Sequence, residues 1–333
     1  MADDRAVVAV DVGGTTIKAG VLGPSGLHDL RRVPTRRERG PDSVLDTVAH
    51  VVVDLLDRCA VLDLDAVGIG VVVPGIVDDA GVGRYSVTMG WRDLPLRDRL
   101  VATIGRPVHV GHDVRAGASA EAAFGAAALD DSALFLSIGT GICAAFVRDG
   151  VVLTGAAFQA GELGQLLVKA PRTGAAEGGV ASVTLEATSS ARAIAEGYAR
   201  ATGCIGSPVG ADVVAAAVAA GDRHATAVWN EAVDRLGSVV AGAIAAIDPG
   251  VIVVGGGLSR AGDTLVEPLV ASIATHLPWR EPPRVTTARF ADDAGFVGCA
   301  IDAWHHSAGF EVSELAWVLG ADDWRTVVAA IEV

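Results

Sequence analysis

The sequence predicts an α/β protein folded as two similar lobes, and three observations carry that reading. A chain of 333 residues sits more comfortably in two packed lobes than around one core. Its composition is 51% hydrophobic but only 5% aromatic, with 41 glycines, which suits valine- and alanine-rich strands covered on both faces. A short repeat also recurs: VDVGGTTIKAGV near the start and LSIGTGICAAFV in the stretch after residue 131 differ by one residue of turn length. Each lobe is thus expected to open on a glycine-turned hairpin.

In chain order, VVAVDV (7–12) and IKAGVL (17–22) read as strands joined through GGTT in a hairpin. Residues 43–60 have helical period, with Leu45, Val48, Val52, Leu55 and Cys59 on one face. A buried strand, VGIGVVV (67–73), ends at Pro74-Gly75. A short strand at 108–110 ends at Gly111, and Asp113 opens an alanine-rich helix. From Ser132 the pattern is strand, glycine turn, strand and a third strand. Residues 183–202, 210–220 and 224–247 read as helices, the last ending at Asp248-Pro249-Gly250. The strand VIVV then leads through GGGLSR into another helix. The tail holds a helix around Val297–His306 and a final helical segment from about Glu311. The expected division is 1–120, 121–300, and a terminal region 301–333 that packs back on the first lobe.

A net charge of −14, from 26 basic and 40 acidic side chains, repels phosphate backbones and anionic lipid. Nucleic acid and membranes are therefore not expected partners. Cys59, Cys143, Cys204 and Cys299 show no CxxC spacing and read as reduced thiols. The start, MADDRAVVAV, lacks the pattern of a signal peptide, and the apolar runs are broken before bilayer length. A cytoplasmic protein is expected.

Three glycine turns bear on chemistry. Gly13, Gly14, Thr15 and Thr16 make a phosphate cradle, because glycines bring backbone N–H groups close to an anion. Asp11, just before it, suits the magnesium of Mg–ATP, directly or through water. The plainer alternative is a tight hairpin whose aspartate caps a local N–H. The second turn is Gly139-Thr140-Gly141. The third, Gly255-Gly256-Gly257, reads as a strand-to-helix turn or as glycines that only permit close packing. There is no Walker lysine motif and no dinucleotide pattern, so ATP would be held by paired hairpins rather than a P-loop.

The motifs DVGGTTIKAG, VVVPGIVD, the HD of VHVGHDVRAG, SIGTGI, AGELG and DPGVIVVGGGLS occur in that order. Together they resemble the ROK family (bacterial repressors, open reading frames and sugar kinases), especially its glucokinase-like members, over about residues 7–305. The resemblance implies a two-lobed actin-like ATPase (ribonuclease H-like) fold with a central cleft, Mg–ATP as donor and a homodimer or homotetramer. It implies that the GGTT hairpin, Lys18 included, and the two later turns hold the nucleotide. It makes Asp113, which by position alone reads as a helix N-cap, the catalytic carboxylate that orients and deprotonates the acceptor hydroxyl. Glu162 of AGELG matches a sugar-binding glutamate, and Glu186 of TLEATSS a later one.

Three positions depart from the family pattern. His112 stands where the family commonly has Asn before the catalytic Asp, Thr88 of TMGW replaces an Asn, and Gln165 replaces a His. His112 reads equally as a helix-start residue or a substrate contact. Relatives also fold the loop after AGELGH around zinc with that His and three Cys. Here QLLVKAPRTGAAEGGVASVTLE has neither residue type, so no structural zinc is expected. The expected function is ATP-dependent phosphorylation of a hydroxyl, a primary one, on a small-molecule sugar or sugar-like polyol. The altered polar positions leave a hexose, an amino sugar or a C7-cyclitol open as acceptor, and a polyphosphate donor stays open too. The rivals are a non-catalytic sugar sensor and a repressor. The repressor reading would need a DNA-binding segment ahead of the strand that begins at about residue 7.

Overall fold

In the computed structural model, which describes residues 4–169, 182–204 and 210–326, the first glycine turn joins β1 (Arg5–Val12) to β2 (Thr16–Gly23) as an antiparallel hairpin. β3 (Gly26–Pro34) continues the meander. Proline at the first helical position then starts α1 (Pro41–Val61), where its missing N–H costs nothing. α1 crosses to β4 (Asp65–Val73), which lies parallel to β1. A small antiparallel sheet follows, from β5 (Ile76–Val77), β6 (Gly83–Ser86) and β7 (Trp91–Leu94). α2 (Leu96–Ile104) leads to β8 (His109–His112), parallel to β4, and then to α3 (Asp113–Phe124).

The pattern then repeats. β9 (Ser132–Ile138), β10 (Ile142–Arg148) and the short β11 (Val151–Val152) form a second meander. β12 (Leu167–Lys169) pairs with β13 (Ser182–Thr184). The helices α4 (Glu186–Ser189), α5 (Ala191–Thr202), α6 (Ala211–Ala219) and α7 (Arg223–Ile247) precede β14 (Val251–Gly255). After α8 (Asp263–His276) comes β15 (Arg284–Thr287). Among the described residues the large sheets run β3-β2-β1-β4-β8 and β11-β10-β9-β14-β15. The strand senses match position by position. The repeat read in the sequence is a repeat of topology.

α9 (Ala294–Ala308) and the short α10 (Ala316–Leu319) follow, and a 3-10 turn at Trp324–Thr326 closes the described chain. One compact unit comprises the residues up to Ala128, Thr154–Gln159 and those from Asp293 on; the other comprises Leu129–Leu153 and Ala160–Asp292. The sequence places these divisions at 120 and 300. Arg115 of α3 ties the 154–159 segment to the first unit by donating from Nη2 to the Phe158 carbonyl.

Pleating sorts the first sheet's residues between two helical layers. Val8, Val10 and Val12, with Ile17, Ala19, Ile69 and Val71, join the apolar core with Val44, Leu45, Val48, Val52, Leu55 and Cys59 of α1. On the other face α9 comes close: a Cβ at Gly70 would stand 2.8 Å from the Cys299 carbonyl oxygen. Asp11 and Lys18, directly opposite in register, lie on this α9 side. In the second unit α7 buries Trp229, Leu236, Val240 and Ile244, and Trp229 Nε1 donates to the Thr264 carbonyl of α8 at 3.0 Å.

Three expectations need correction. Residues 183–202 are not one helix: Ser190 is extended and its side chain accepts from Ala193 N at 3.2 Å, capping a new helix. GGGLSR does not enter a helix directly, because a 3-10 turn, Gly257–Ala261, comes first. The segment from Glu311 is a series of short turns around α10 rather than a helix. Among the described residues no helix is long and apolar enough to cross a membrane.

Candidate functional site

The first glycine turn is closed by Gly13 N donating to the Thr16 carbonyl at 3.0 Å. Thr35, fully buried, fastens it from the end of β3. Its Oγ1 donates to the Gly13 carbonyl at 2.6 Å and its N to the Thr15 carbonyl at 2.9 Å. The Gly13, Thr15 and Thr16 carbonyls are thereby occupied. Among the described residues the N–H groups of Gly14 and Thr15 have no acceptor. An unfilled pair of donors on a glycine turn is a nest for an anion. Thr88, in the turn between β6 and β7, belongs to this neighbourhood: a Cβ on Gly14 would lie 3.0 Å from its methyl carbon.

Asp11 offers a hard carboxylate donor on the strand that runs into the turn. α9 meets it with Gly295, where a Cβ would stand 2.8 Å from Asp11 Oδ2. That opening suits a carboxylate beside a hydrated magnesium ion and phosphate oxygens. Lys18 is differently employed. Its Nζ lies 3.1 Å from Oδ1 of Asp293, which is fully buried. Arg32 Nη2 reaches the same oxygen at 3.1 Å, and Arg325 Nε donates to Oδ2 at 2.8 Å. Sequence reasoning missed Asp293, whose partners are scattered along the chain.

Asp113 is the first residue of α3, but His112 is the residue that caps it. Nδ1 of His112 accepts from Val114 N at 3.1 Å and from Arg115 N at 3.3 Å. Such a cap needs an unprotonated acceptor nitrogen. Burial, reinforced by the Arg115 charge, pushes the imidazole down to about 3 and keeps it neutral. Asp113 Oδ1 accepts from Val114 N at 2.8 Å. Burial pushes its carboxyl up to about 6, against the pull of that N–H and of Arg115. Even so, 24% of the side chain stays open, enough for a hydroxyl to approach. A carboxylate of that basicity, exposed at one edge, is fit to take a proton near neutral pH.

In the second unit Gly139 N donates to the Gly141 carbonyl at 2.9 Å, closing the turn that carries Thr140. Glu186, at the start of α4, braces it: Oε2 accepts from Ile142 N at 3.0 Å, and a Cβ on Gly141 would stand 2.5 Å from that oxygen. Its carboxylate is thus placed at the second glycine turn. The AGELG segment lies along β10. Gly161, at φ 96°, accepts from Ala144 N at 2.8 Å, and Glu162 Oε1 is 4.0 Å from Cys143 Sγ. Gln165 is exposed. In the loop where zinc was not expected, residues 170–181 lie outside the described residues.

The third turn does two things. Gly255 and Gly256 serve packing: Cβ atoms there would stand 2.5 Å from the Phe135 ring and 2.6 Å from the Ile138 carbonyl oxygen. Gly257 faces open space and helps line a cleft of about 250 Å³ with Ala211, Ala215 and Ala219 of α6, together with Leu258 and Thr264. Asp212 and Arg260 line it as well, so small apolar walls stand beside a carboxylate and a guanidinium, a mixture that suits a planar heterocycle with polar edges. The third glycine turn supplies Gly257 to this cleft, whereas no motif singled out the alanines of α6 on its other wall.

A model of the ROK family matches residues 7–305. The glucokinase of Halalkalibacterium halodurans is 33% identical over 315 residues, covering 89% of this chain and 94% of its own. Among solved structures, the ROK hexokinase of Thermus thermophilus is 33% identical with a TM-score of 0.72, covering 92% of this chain and 100% of its own. A ROK family glucokinase from Streptomyces griseus, in complex with glucose and AMPPNP, has a TM-score of 0.76 at 25% identity, covering 90% and 99%.

Proposed function

The chain belongs to the ROK family and has its two-lobed, actin-like ATPase fold, and from there we propose that it is an ATP-dependent kinase of a sugar or sugar-like polyol. The observation that carries this is Asp113: a carboxyl at a helix start, pushed up to about 6 by burial and still open to an incoming hydroxyl. The acceptor oxygen attacks the γ-phosphorus in line, the bond from phosphorus to the bridging oxygen breaks, and ADP leaves. The hydroxyl proton passes to Asp113. The N–H groups of Gly14 and Thr15 hold donor phosphate oxygens in the first unit. The Gly139–Gly141 turn does so in the second, where the cleft beside Gly257 takes the base. Asp11 would hold a bound magnesium ion through its water shell, and the ion would supply charge neutralisation on the phosphates.

In the acceptor's recognition, Glu162 pairs ring hydroxyls, and the target is a primary hydroxyl. Thr88, His112 and Gln165 set which ring is accepted. Their departure from the family's usual residues favours an acceptor other than plain glucose, with a C7-cyclitol as the specific case. The test is ADP release over a panel of hexoses, amino sugars, polyols and cyclitols. One acceptor should give turnover that Asp113→Asn removes while nucleotide still binds. No ADP release with any of them would leave a sugar sensor instead. The triple variant Thr88→Asn, His112→Asn, Gln165→His should move preference toward glucose. An unchanged preference would sink the cyclitol reading and leave the kinase standing.

A further inference from the structure

Although the whole chain is acidic, Arg31, Arg32, Arg36, Arg37 and Arg39 crowd the stretch that runs past the first glycine turn. Two of them are committed: Arg31 to Asp29 at 2.6 Å and Arg32 to Asp293 at 3.1 Å. Among the described residues the guanidinium groups of Arg36, Arg37 and Arg39 have no ion pair or hydrogen bond. Arg37 is distinguished by where it stands, with Nη1 3.8 Å from the place a Cβ on Gly14 would occupy. The backbone holds it there. Thr35, two residues earlier, is hydrogen-bonded to both sides of the turn. Arg36 then takes a left-handed conformation, φ 53°, that reverses the chain into the 3-10 turn Arg37–Arg39.

We infer that Arg37 binds the phosphate chain of the donor, as the cationic side chain of the first glycine turn. The inference rests on the reading of that turn as a phosphate site. The hairpin's own cation, Lys18, is paired with Asp293, whereas the charged group within 4 Å of a Cβ on Gly14 is the Arg37 guanidinium. A guanidinium beside the turn's N–H donors adds a planar fork that matches phosphate oxygens. The ligand class is therefore a chain of two or more phosphates, recognised apart from the base.

Calorimetric titration of the whole protein with Mg–ATP, inorganic tripolyphosphate and adenosine separates the possibilities. Arg37→Ala should weaken Mg–ATP and tripolyphosphate by roughly tenfold or more. It should leave adenosine unchanged, which also reports that the variant is folded. Arg37→Lys should fall between, and Arg39→Ala should match the parent. If Arg37→Ala binds both phosphate ligands as tightly as a parent that binds them, the role of Arg37 is overturned and the turn's reading survives. If the parent binds neither, the reading of the turn falls and takes the proposal with it.

Discussion

Lys18 Nζ and Asp293 Oδ1 stand 3.1 Å apart, and this pairing makes Lys18 part of the architecture around the first hairpin. Asp293 is fully buried and shares its two oxygens among Lys18, Arg32 and Arg325. Removing one partner from a buried group is costly because the remaining charge stays desolvated. Arg32 and Arg325 are about half exposed and can be solvated without Asp293, so Asp293→Ala should lower unfolding stability by about 1.5–3 kcal/mol, read from the urea midpoint. Lys18→Met should cost less, about 1–2 kcal/mol, and leave ATP affinity intact. A Lys18→Met protein of normal stability with weakened ATP binding would return Lys18 to the phosphates.

The acid side of the pH profile should belong to Asp113. Its carboxyl is pushed up to about 6, so the proton-accepting form is lost as pH falls through that value. The rate constant kcat/KM for the acceptor should decline below about pH 6. His112 cannot produce this limb, since its ring is neutral down to about 3. His112→Asn keeps a capping acceptor and should retain the limb. A limb that moved in His112→Asn would assign it to the imidazole.

Asp302 of α9 provides a test of stability alone. Burial pushes its carboxyl up to about 7, and its Oδ2 lies 3.9 Å from where a Cβ on Gly111 would stand. A carboxyl raised in the folded state contributes stability that is fully present below its ordinary value of 3.8. That contribution is lost as pH rises through about 7. Asp302→Asn should therefore raise Tm at pH 8, by roughly 1–3 kcal/mol in free energy, and change little at pH 4. An equal effect at both pH values would show that ionisation is not its source.

Glu186 offers a test that separates a nucleotide role from an acceptor role. Because its carboxylate accepts from Ile142 N beside Gly141, Glu186→Ala should loosen the second turn. The KM for ATP should rise by roughly three- to tenfold, with the acceptor KM unchanged. Glu186→Gln keeps an oxygen acceptor and should resemble the parent. A rise confined to the acceptor KM would put Glu186 on the ring, as its resemblance to a sugar-binding glutamate implies.

What could be read from the sequence was local. The hairpin around GGTT, the helix carrying Leu45 to Cys59 and the run VIVV all have periods or turn residues that act over a few positions, and the structure has them. The pairing of VDVGGTTIKAGV with LSIGTGICAAFV went further, since it announced two sheets of one topology. Other features depend on contacts between distant segments. The convergence of residues 18, 32 and 325 on Asp293 leaves no spacing to detect. His112 was open to two roles because an imidazole nitrogen can cap a helix as readily as an asparagine oxygen. The break at Ser190 was hidden because TSSARA is compatible with a helix until Ser189 Oγ is drawn to the Ala232 carbonyl at 2.9 Å.

The placement of α9 has a consequence for synthesis. The second unit, apart from the short 154–159 segment that joins the first, runs without interruption from Leu129 to Asp292. The first unit begins earlier, yet the face of its sheet that bears Asp11 and Gly70 is covered by α9, from Ala294–Ala308. As the chain leaves the ribosome, the first sheet must wait, with one apolar side unpartnered, while the second is made and closed. The lobe translated first is the lobe finished last, so a nascent chain halted before Ala294 carries one complete unit and one that still exposes its strands.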